Sequence, residues 1–170
     1  MRSNAAGEPG ESRPRAEKEA IQKLIQLLAS LAFIGTLVLP SLDLRYHWSH
    51  VSSVFVVAGD AVVAFGFFAV FIVCRENTFT SATIEVVPKQ RVISTGPYAV
   101  IRHPMYAGAL FMLFGTPLAL GSWLGLVMFI PMALVIAWRL LDEERHLRKS
   151  LPGYTEYCEK IRFRLIPHVW

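Results

Sequence analysis

The chain has 170 residues, enough for one domain, and 54% of them are hydrophobic while only 18% are charged. Its mean hydropathy is +0.42, and the charges are clustered between long uncharged runs. This pattern excludes a water-soluble domain, which would spread its charges over the surface. The net charge of +4 does not indicate nucleic-acid binding, because the basic residues flank apolar runs, where they determine membrane topology. Cys74 and Cys158 are far apart and show no metal-ligand spacing, so neither a metal site nor a disulfide is predicted.

The chain begins with a basic tail over residues 1–20, whose polar, glycine- and proline-rich composition predicts disorder. Residues 21–170 are predicted to form a single membrane domain. A helix of about 20 residues crosses the hydrocarbon core of a bilayer. The apolar runs that meet or approach this length lie at residues 24–39, 51–74, 105–120 and 123–141. The sequence therefore predicts an all-α integral membrane protein with about four transmembrane helices, followed by a C-terminal helical segment.

The basic residues are distributed very unevenly among the segments that connect these helices. With four spans, 16 of the 17 lysines and arginines fall on one side, and only Arg45 falls on the other. Basic segments remain in the cytoplasm by the positive-inside rule. Both termini, the C-terminal helical segment and the loop between the second and third spans are therefore predicted to be cytoplasmic.

Small residues predict how the last two spans pack. Only Gly121 and Ser122 separate them, so a tight antiparallel hairpin is expected. Gly108 and Gly115 lie two turns apart and favour close contact between helix backbones in lipid. The second span contains Asp60, for which a hydrogen bond to another helix is the expected role.

The first candidate site is the start of the third span, at Arg102, His103 and Pro104. Proline suits the first position of a helix, and the free N–H groups of a helix N-terminus suit a ligand carboxylate. The alternative is that Arg102 reaches to lipid phosphates while His103 lies at the membrane interface.

The second candidate site follows the fourth span. Arg139, Glu143 and His146 share one helical face, being spaced at i, i+4 and i+7. An arginine can hold a carboxylate in a bidentate grip, and a carboxylate can bind hydroxyl or ammonium groups. The alternative is a solvated charged stripe, but Arg139 and Glu143 lie at the membrane boundary, where an unpaired charge is costly.

Three motifs occur in order: GPYAVIRHPMYAG at residues 96–108, EERHL at 143–147 and GYTEY at 153–157. Together they resemble the isoprenylcysteine carboxyl methyltransferase family and the wider group of phospholipid methyltransferases, over about residues 78–170. The resemblance implies an all-helical membrane methyltransferase that binds S-adenosyl-L-methionine at its cytoplasmic face. The cofactor-binding residues that it implies are Gln90, Arg91, Val92, Ile93, Tyr98, His103, Pro104, Met105, Tyr106 and Glu143. It also implies a catalytic role for Arg139, which would face the acceptor carboxylate.

The implied reaction is methyl transfer to a membrane-associated or amphiphilic acceptor, such as an isoprenylcysteine-type α-carboxyl group that enters from the lipid bilayer. Such transfer needs mainly alignment of the reacting groups; neither a metal nor a nucleic-acid partner is expected. The alternatives are a lipid amine, a small thiol or a phenol as acceptor. Membrane sterol reductases, which bind a nicotinamide cofactor, also resemble this fold in their C-terminal half. A non-enzymatic scaffold whose basic patch binds anionic lipid is a further alternative.

Overall fold

The computed structural model describes the backbone of residues 9–77 and 91–170, and the side chains of those residues from Lys23 onward. In this part of the chain, all regular secondary structure is helical, which confirms the predicted all-α fold. The helices are α1 (Pro9–Tyr46), α2 (Ser53–Glu76), α3 (Pro104–Ala119), α4 (Phe129–Ser150) and α5 (Tyr154–Lys160), with 3-10 turns at Gly96–Ala99 and Leu124–Met128.

Three stretches are long and apolar enough to cross a membrane: Lys23–Tyr46, Ser53–Glu76 and Leu124–Ser150. They indicate a multi-pass integral membrane protein. Helix α3 has 16 residues and is about 24 Å long at 1.5 Å per residue, which is short of a hydrocarbon core of about 30 Å. The third predicted span is therefore a helix, but one shorter than a full crossing. The cytoplasmic side of the bundle stays a prediction.

Helix α1 begins at Pro9, inside the segment for which disorder is expected. Residues 16–20 are alanine, glutamate and lysine, which are strong helix formers. Extending an existing helix costs less than nucleating a new one. The helix formed by the apolar run therefore extends toward the N-terminus into this polar segment. Residues 1–8 lie outside the described part of the chain.

Helices α2 and α3 contact each other through their backbones. Gly66 faces Gly108, and a Cβ atom built on Gly66 would lie 2.9 Å from the Gly108 carbonyl oxygen. A Cβ atom on Gly115 would lie 2.8 Å from the Gly59 carbonyl oxygen. Larger side chains would force the helices apart, as at other close helix contacts in lipid. The close contact predicted for Gly108 and Gly115 is confirmed, and the helix that they contact is α2.

The connection between α3 and α4 is longer than the predicted two-residue hairpin. Helix α3 ends at Ala119, and the chain passes through a turn and the Leu124–Met128 3-10 segment before α4 begins. Ser122 is fully buried in this connection, and its Oγ accepts a hydrogen bond of 2.9 Å from the Gly125 backbone N–H. The predicted hairpin is therefore present, but its turn covers residues 120–123, between α3 and the apolar stretch Leu124–Ser150, and not Gly121 and Ser122 alone.

A buried carboxylate holds this end of the bundle together. Asp43 is fully buried and accepts hydrogen bonds from the Ser49 backbone N–H at 2.7 Å and the Ser49 hydroxyl at 2.6 Å. The Ser122 hydroxyl donates a further hydrogen bond to it. A buried charge needs such partners, and here they join α1, the α1–α2 loop and the α3–α4 connection. Asp60, by contrast, is exposed on α2 and makes no hydrogen bond to another helix within the described residues.

Candidate functional site

A cavity of about 850 Å³ lies at the other end of the bundle, where the end of α2, the start of α3, the end of α4 and α5 meet. This volume is typical of a small-molecule site. Polar residues line one part of the cavity: Asn77, Arg91, Tyr98, His103, Arg139 and Glu143. Apolar residues of α1 to α4 line the rest, including Phe33, Leu37, Phe67, Met112, Met132 and Ile136. The cavity therefore joins a polar chamber to an apolar one between the membrane helices.

The predicted site residues meet in this cavity although they come from separate stretches of sequence. Arg139 lines it, as does every predicted cofactor-binding residue that the structure describes: Arg91, Val92, Ile93, Tyr98, His103, Pro104, Met105, Tyr106 and Glu143. Gln90 lies outside the described residues. His146 is exposed and does not line the cavity. Its neighbour Leu147 lines the cavity instead. The shared helical face is thus confirmed for Arg139 and Glu143 but not for His146.

The start of α3 is buried beneath residues 161–170, which follow α5 and are called the C-terminal segment. Arg102 is 7% exposed and His103 is 5% exposed. Their backbone N–H groups donate hydrogen bonds to the carbonyl oxygens of Phe163, at 2.9 Å, and Arg164, at 3.0 Å. Neither side chain reaches out to lipid phosphates, so the interfacial-anchor alternative does not describe this segment.

Glu144 connects these elements. Its carboxylate lies 3.0 Å from Arg102 Nη1, 3.2 Å from His103 Nε2 and 3.1 Å from Arg164 Nε. We call these four residues the Glu144 cluster. Glu144 is 3% exposed, and such burial is tolerated because the carboxylate is fully paired. The cluster fixes the His103 ring against α4 and holds the C-terminal segment in place.

This role of Glu144 was not predicted from the sequence. A pattern that indicates it is present, because the buried residues of α4 recur every four positions at Met132, Ile136, Leu140 and Glu144. A charge that continues an apolar stripe of this kind predicts a buried, paired side chain.

Tyr106 links the two predicted residues of α4. Its hydroxyl donates a hydrogen bond of 2.6 Å to Glu143 Oε2 and accepts one of 3.2 Å from Arg139 Nε. A cation and a carboxylate therefore lie side by side on the cavity wall. Such a pair can bind a zwitterionic or polar ligand by complementary charge.

Three tyrosines complete the polar chamber. The Tyr98 hydroxyl accepts a hydrogen bond of 2.9 Å from Asn77 Nδ2, and the Tyr157 hydroxyl donates one of 2.8 Å to the Tyr98 carbonyl oxygen. Tyr154 and Tyr157 reach the cavity because Gly153, at φ +83°, turns the chain directly from α4 into α5. Burial raises the pKa of the Tyr98, Tyr154 and Tyr157 phenols, so all three are neutral near pH 7. The sequence identified the last two only as members of a motif.

Among the side chains that the structure describes, in residues 23–77 and 91–170, no group of three or more histidine, cysteine, aspartate or glutamate residues is placed to bind a metal ion.

Comparison with known proteins bears directly on this cavity. The family model described as phospholipid methyltransferase matches residues 54–152. The chain is also 30% identical over 109 residues to the Delta(14)-sterol reductase of the mouse, Mus musculus, an alignment that covers 56% of this chain and 26% of the reductase. The chain thus spans about a quarter of that relative's length. The family match covers more than half of the chain and includes α2, α3, α4 and most of the cavity wall, and the chain therefore belongs to the phospholipid methyltransferase family.

Proposed function

We propose that this protein transfers a methyl group from S-adenosyl-L-methionine to an amphiphilic acceptor in the membrane, the acceptor being a carboxylate such as an isoprenylcysteine-type α-carboxyl group. Family membership supports methyl transfer to a lipid-like molecule. The observation that carries the proposal is the continuity of a polar chamber with an apolar one in a single cavity. A polar methyl donor and an acceptor with a hydrocarbon tail would each find a matching environment there.

The polar chamber suits the methyl donor. Glu143 would bind its ammonium group or ribose hydroxyls, and Tyr106 keeps that carboxylate in place through the 2.6 Å hydrogen bond. His103 would contact the donor from the start of α3, with its ring held by Glu144. When bound, S-adenosyl-L-methionine supplies a methyl group already activated by its positively charged sulfur. The protein then has mainly to align the reacting groups.

The apolar chamber suits the tail of the acceptor. Its walls include Phe33, Phe67 and Met132, which belong to different helices. Arg139 lies on the wall of the same cavity and is half-buried. It would orient an acceptor carboxylate, which is ionised at neutral pH and needs no general base to act as a nucleophile. Exclusion of water by the surrounding helices strengthens this charge-based orientation.

We place the polar chamber on the cytoplasmic side, where the methyl donor would enter. This placement is supported by the 16 basic residues assigned to that side. Residues 21–170 would act as one domain, with the donor-binding part within residues 78–170.

The first test is calorimetry on the full chain, purified in detergent, with S-adenosyl-L-methionine and S-adenosylhomocysteine. We expect both to bind. Absence of binding at high micromolar concentration refutes the methyltransferase proposal. Transfer of a labelled methyl group is then measured to a prenylcysteine, to a lipid amine and to a small thiol, so that the acceptor class is read directly.

The second test separates donor binding from acceptor orientation. Arg139→Ala should abolish transfer to a carboxylate acceptor and leave affinity for S-adenosylhomocysteine nearly unchanged. Arg145→Ala is the matched control, because Arg145 lies on the same helix but is exposed and pairs with Asp142 at the surface. Loss of donor affinity in Arg139→Ala would mean that Arg139 has been given the wrong role.

A second candidate function is supported by the similarity to the mouse sterol reductase. In that case the cavity would bind a reduced nicotinamide cofactor and a sterol. The same calorimetry decides between the two, because binding of the nicotinamide cofactor without binding of S-adenosylhomocysteine would favour the reductase. A scaffold without enzymatic activity would tolerate His103→Ala and Glu143→Ala without loss of function.

A further inference from the structure

Two buried polar atoms on the cavity wall have no hydrogen-bond partner within the described residues: Arg102 Nε and the Tyr154 hydroxyl. Arg102 is 7% exposed and Tyr154 is 5% exposed, and both residues line the cavity. Buried donors are nearly always paired in native proteins, and leaving one unpaired is costly. Two such atoms on one wall indicate that a ligand group completes their hydrogen bonding.

The rest of the Arg102 guanidinium is already engaged. Nη1 contacts Glu144 at 3.0 Å, and Nη2 donates a hydrogen bond of 3.1 Å to the Arg162 carbonyl oxygen. These contacts fix the orientation of the side chain, while the Nε–H has no partner in the described part of the chain. A ligand bound at this part of the cavity wall would supply the partner that the Nε–H lacks.

The charge of the Glu144 cluster favours an anion. Arg102 and Arg164 contribute two positive charges against the single carboxylate of Glu144. On the neighbouring part of the wall, Arg139 and Glu143 balance each other. The surplus positive charge therefore lies behind the cavity wall, next to Arg102, since Arg164 contacts Glu144 and does not line the cavity itself.

We propose that Tyr154 and Arg102 bind the carboxylate of the methyl donor's amino-acid group, the Tyr154 O–H and the Arg102 Nε–H each donating one hydrogen bond to it. This inference rests on the proposed function and assigns donor contacts to two residues that are not among the predicted cofactor-binding residues. Both groups are donors at neutral pH, since the arginine is always charged and the buried phenol stays protonated. A carboxylate has two oxygens with about four lone-pair sites, so it can accept both hydrogen bonds.

Tyr157 provides a matched control for Tyr154. Both tyrosines lie on α5, both are buried, and both line the cavity. The Tyr157 hydroxyl, however, is satisfied by the Tyr98 carbonyl oxygen. Removing the hydroxyl should therefore have opposite effects on the ligand-free protein. Tyr154→Phe should leave the melting temperature unchanged or raise it, whereas Tyr157→Phe should lower it, because the partly buried Tyr98 carbonyl oxygen loses its partner.

The decisive experiment is calorimetry on the full chain in detergent with two probes, S-adenosylhomocysteine and 5′-methylthioadenosine, the second of which lacks the amino-acid carboxylate. Tyr154→Phe should weaken S-adenosylhomocysteine binding about tenfold, as expected for a hydrogen bond to a charged group. Its affinity for 5′-methylthioadenosine should equal that of the wild type. Tyr157→Phe should change both affinities by the same factor.

Three results would overturn the inference while the proposed function stands. These are unchanged binding of S-adenosylhomocysteine by Tyr154→Phe, equal weakening of both probes by that variant, and a drop in its ligand-free melting temperature like that of Tyr157→Phe. Failure of the wild type to bind S-adenosylhomocysteine is a different outcome, which refutes the proposed function and this inference together.

Discussion

Glu144→Gln is expected to destabilise the protein strongly. The substitution keeps the shape of the side chain but removes the negative charge that Arg102 meets at 3.0 Å, with both side chains at most 5% exposed. Removing one partner of a buried ion pair typically costs about 3–5 kcal/mol, because the other charge is left uncompensated. Set against a total stability of about 5–15 kcal/mol, this loss approaches the limit for folding. Ligand affinity should fall as well, since Glu144 also holds His103.

The assay is equilibrium unfolding in mixed micelles of a neutral detergent and a rising fraction of sodium dodecyl sulfate, followed by tryptophan fluorescence. Asp142→Asn is the matched control, since Asp142 lies on the same helix and its ion pair with Arg145 is exposed. Exposed pairs contribute about 0–1 kcal/mol. The reasoning is refuted if Glu144→Gln loses less than about 1 kcal/mol of unfolding free energy, or if both variants lose the same amount.

Three further predictions concern other parts of the structure. Asp43→Asn should lower the midpoint of unfolding by more than Ser41→Ala, an exposed control on α1. The affinity for S-adenosylhomocysteine, measured by calorimetry, should stay the same. A change in that affinity would contradict the separation of the Asp43 end of the bundle from the cavity. Gly115→Ala should cost about 1–3 kcal/mol through overpacking, since its Cβ would lie 2.8 Å from the Gly59 carbonyl oxygen; an unchanged unfolding curve would argue against backbone contact. Tyr106→Phe should weaken binding of the methyl donor about tenfold in calorimetry, because the Glu143 carboxylate loses the charge-assisted hydrogen bond that holds it. Equal affinity of the variant and the wild type would show that Tyr106 does not position Glu143 for the donor.

The main features of the cavity could be predicted from the sequence because they depend on local spacing. Arg139 and Glu143 are one helical turn apart and face the same cavity for that reason. The segment from Tyr98 to Tyr106 leads directly into α3, so its residues reach the cavity together. The uneven distribution of basic residues placed this segment and the end of α4 on the same side, and the contact between Arg102 and Glu144 agrees with that placement.

Features that depend on distant contacts could not be predicted in the same way. Asp43 and its partner Ser122 are 79 residues apart, and nothing in the local sequence connects them. The length of the α3–α4 connection depends on such contacts as well. Gly121 adopts φ +72° in the turn, where a helix cannot continue, and Gly125 packs against Pro40 of α1.

The contact between α2 and α3 restricts how the length of this protein can change. Gly59 and Gly66 are seven residues apart, as are Gly108 and Gly115, and the two pairs meet in antiparallel order. Deleting or inserting one residue between the glycines of either pair would rotate one of them by about 100° relative to the other. A side chain would then fall where only backbone fits. Between these glycines, α2 and α3 can change freely in residue type at their outer faces, but the number of residues must stay the same.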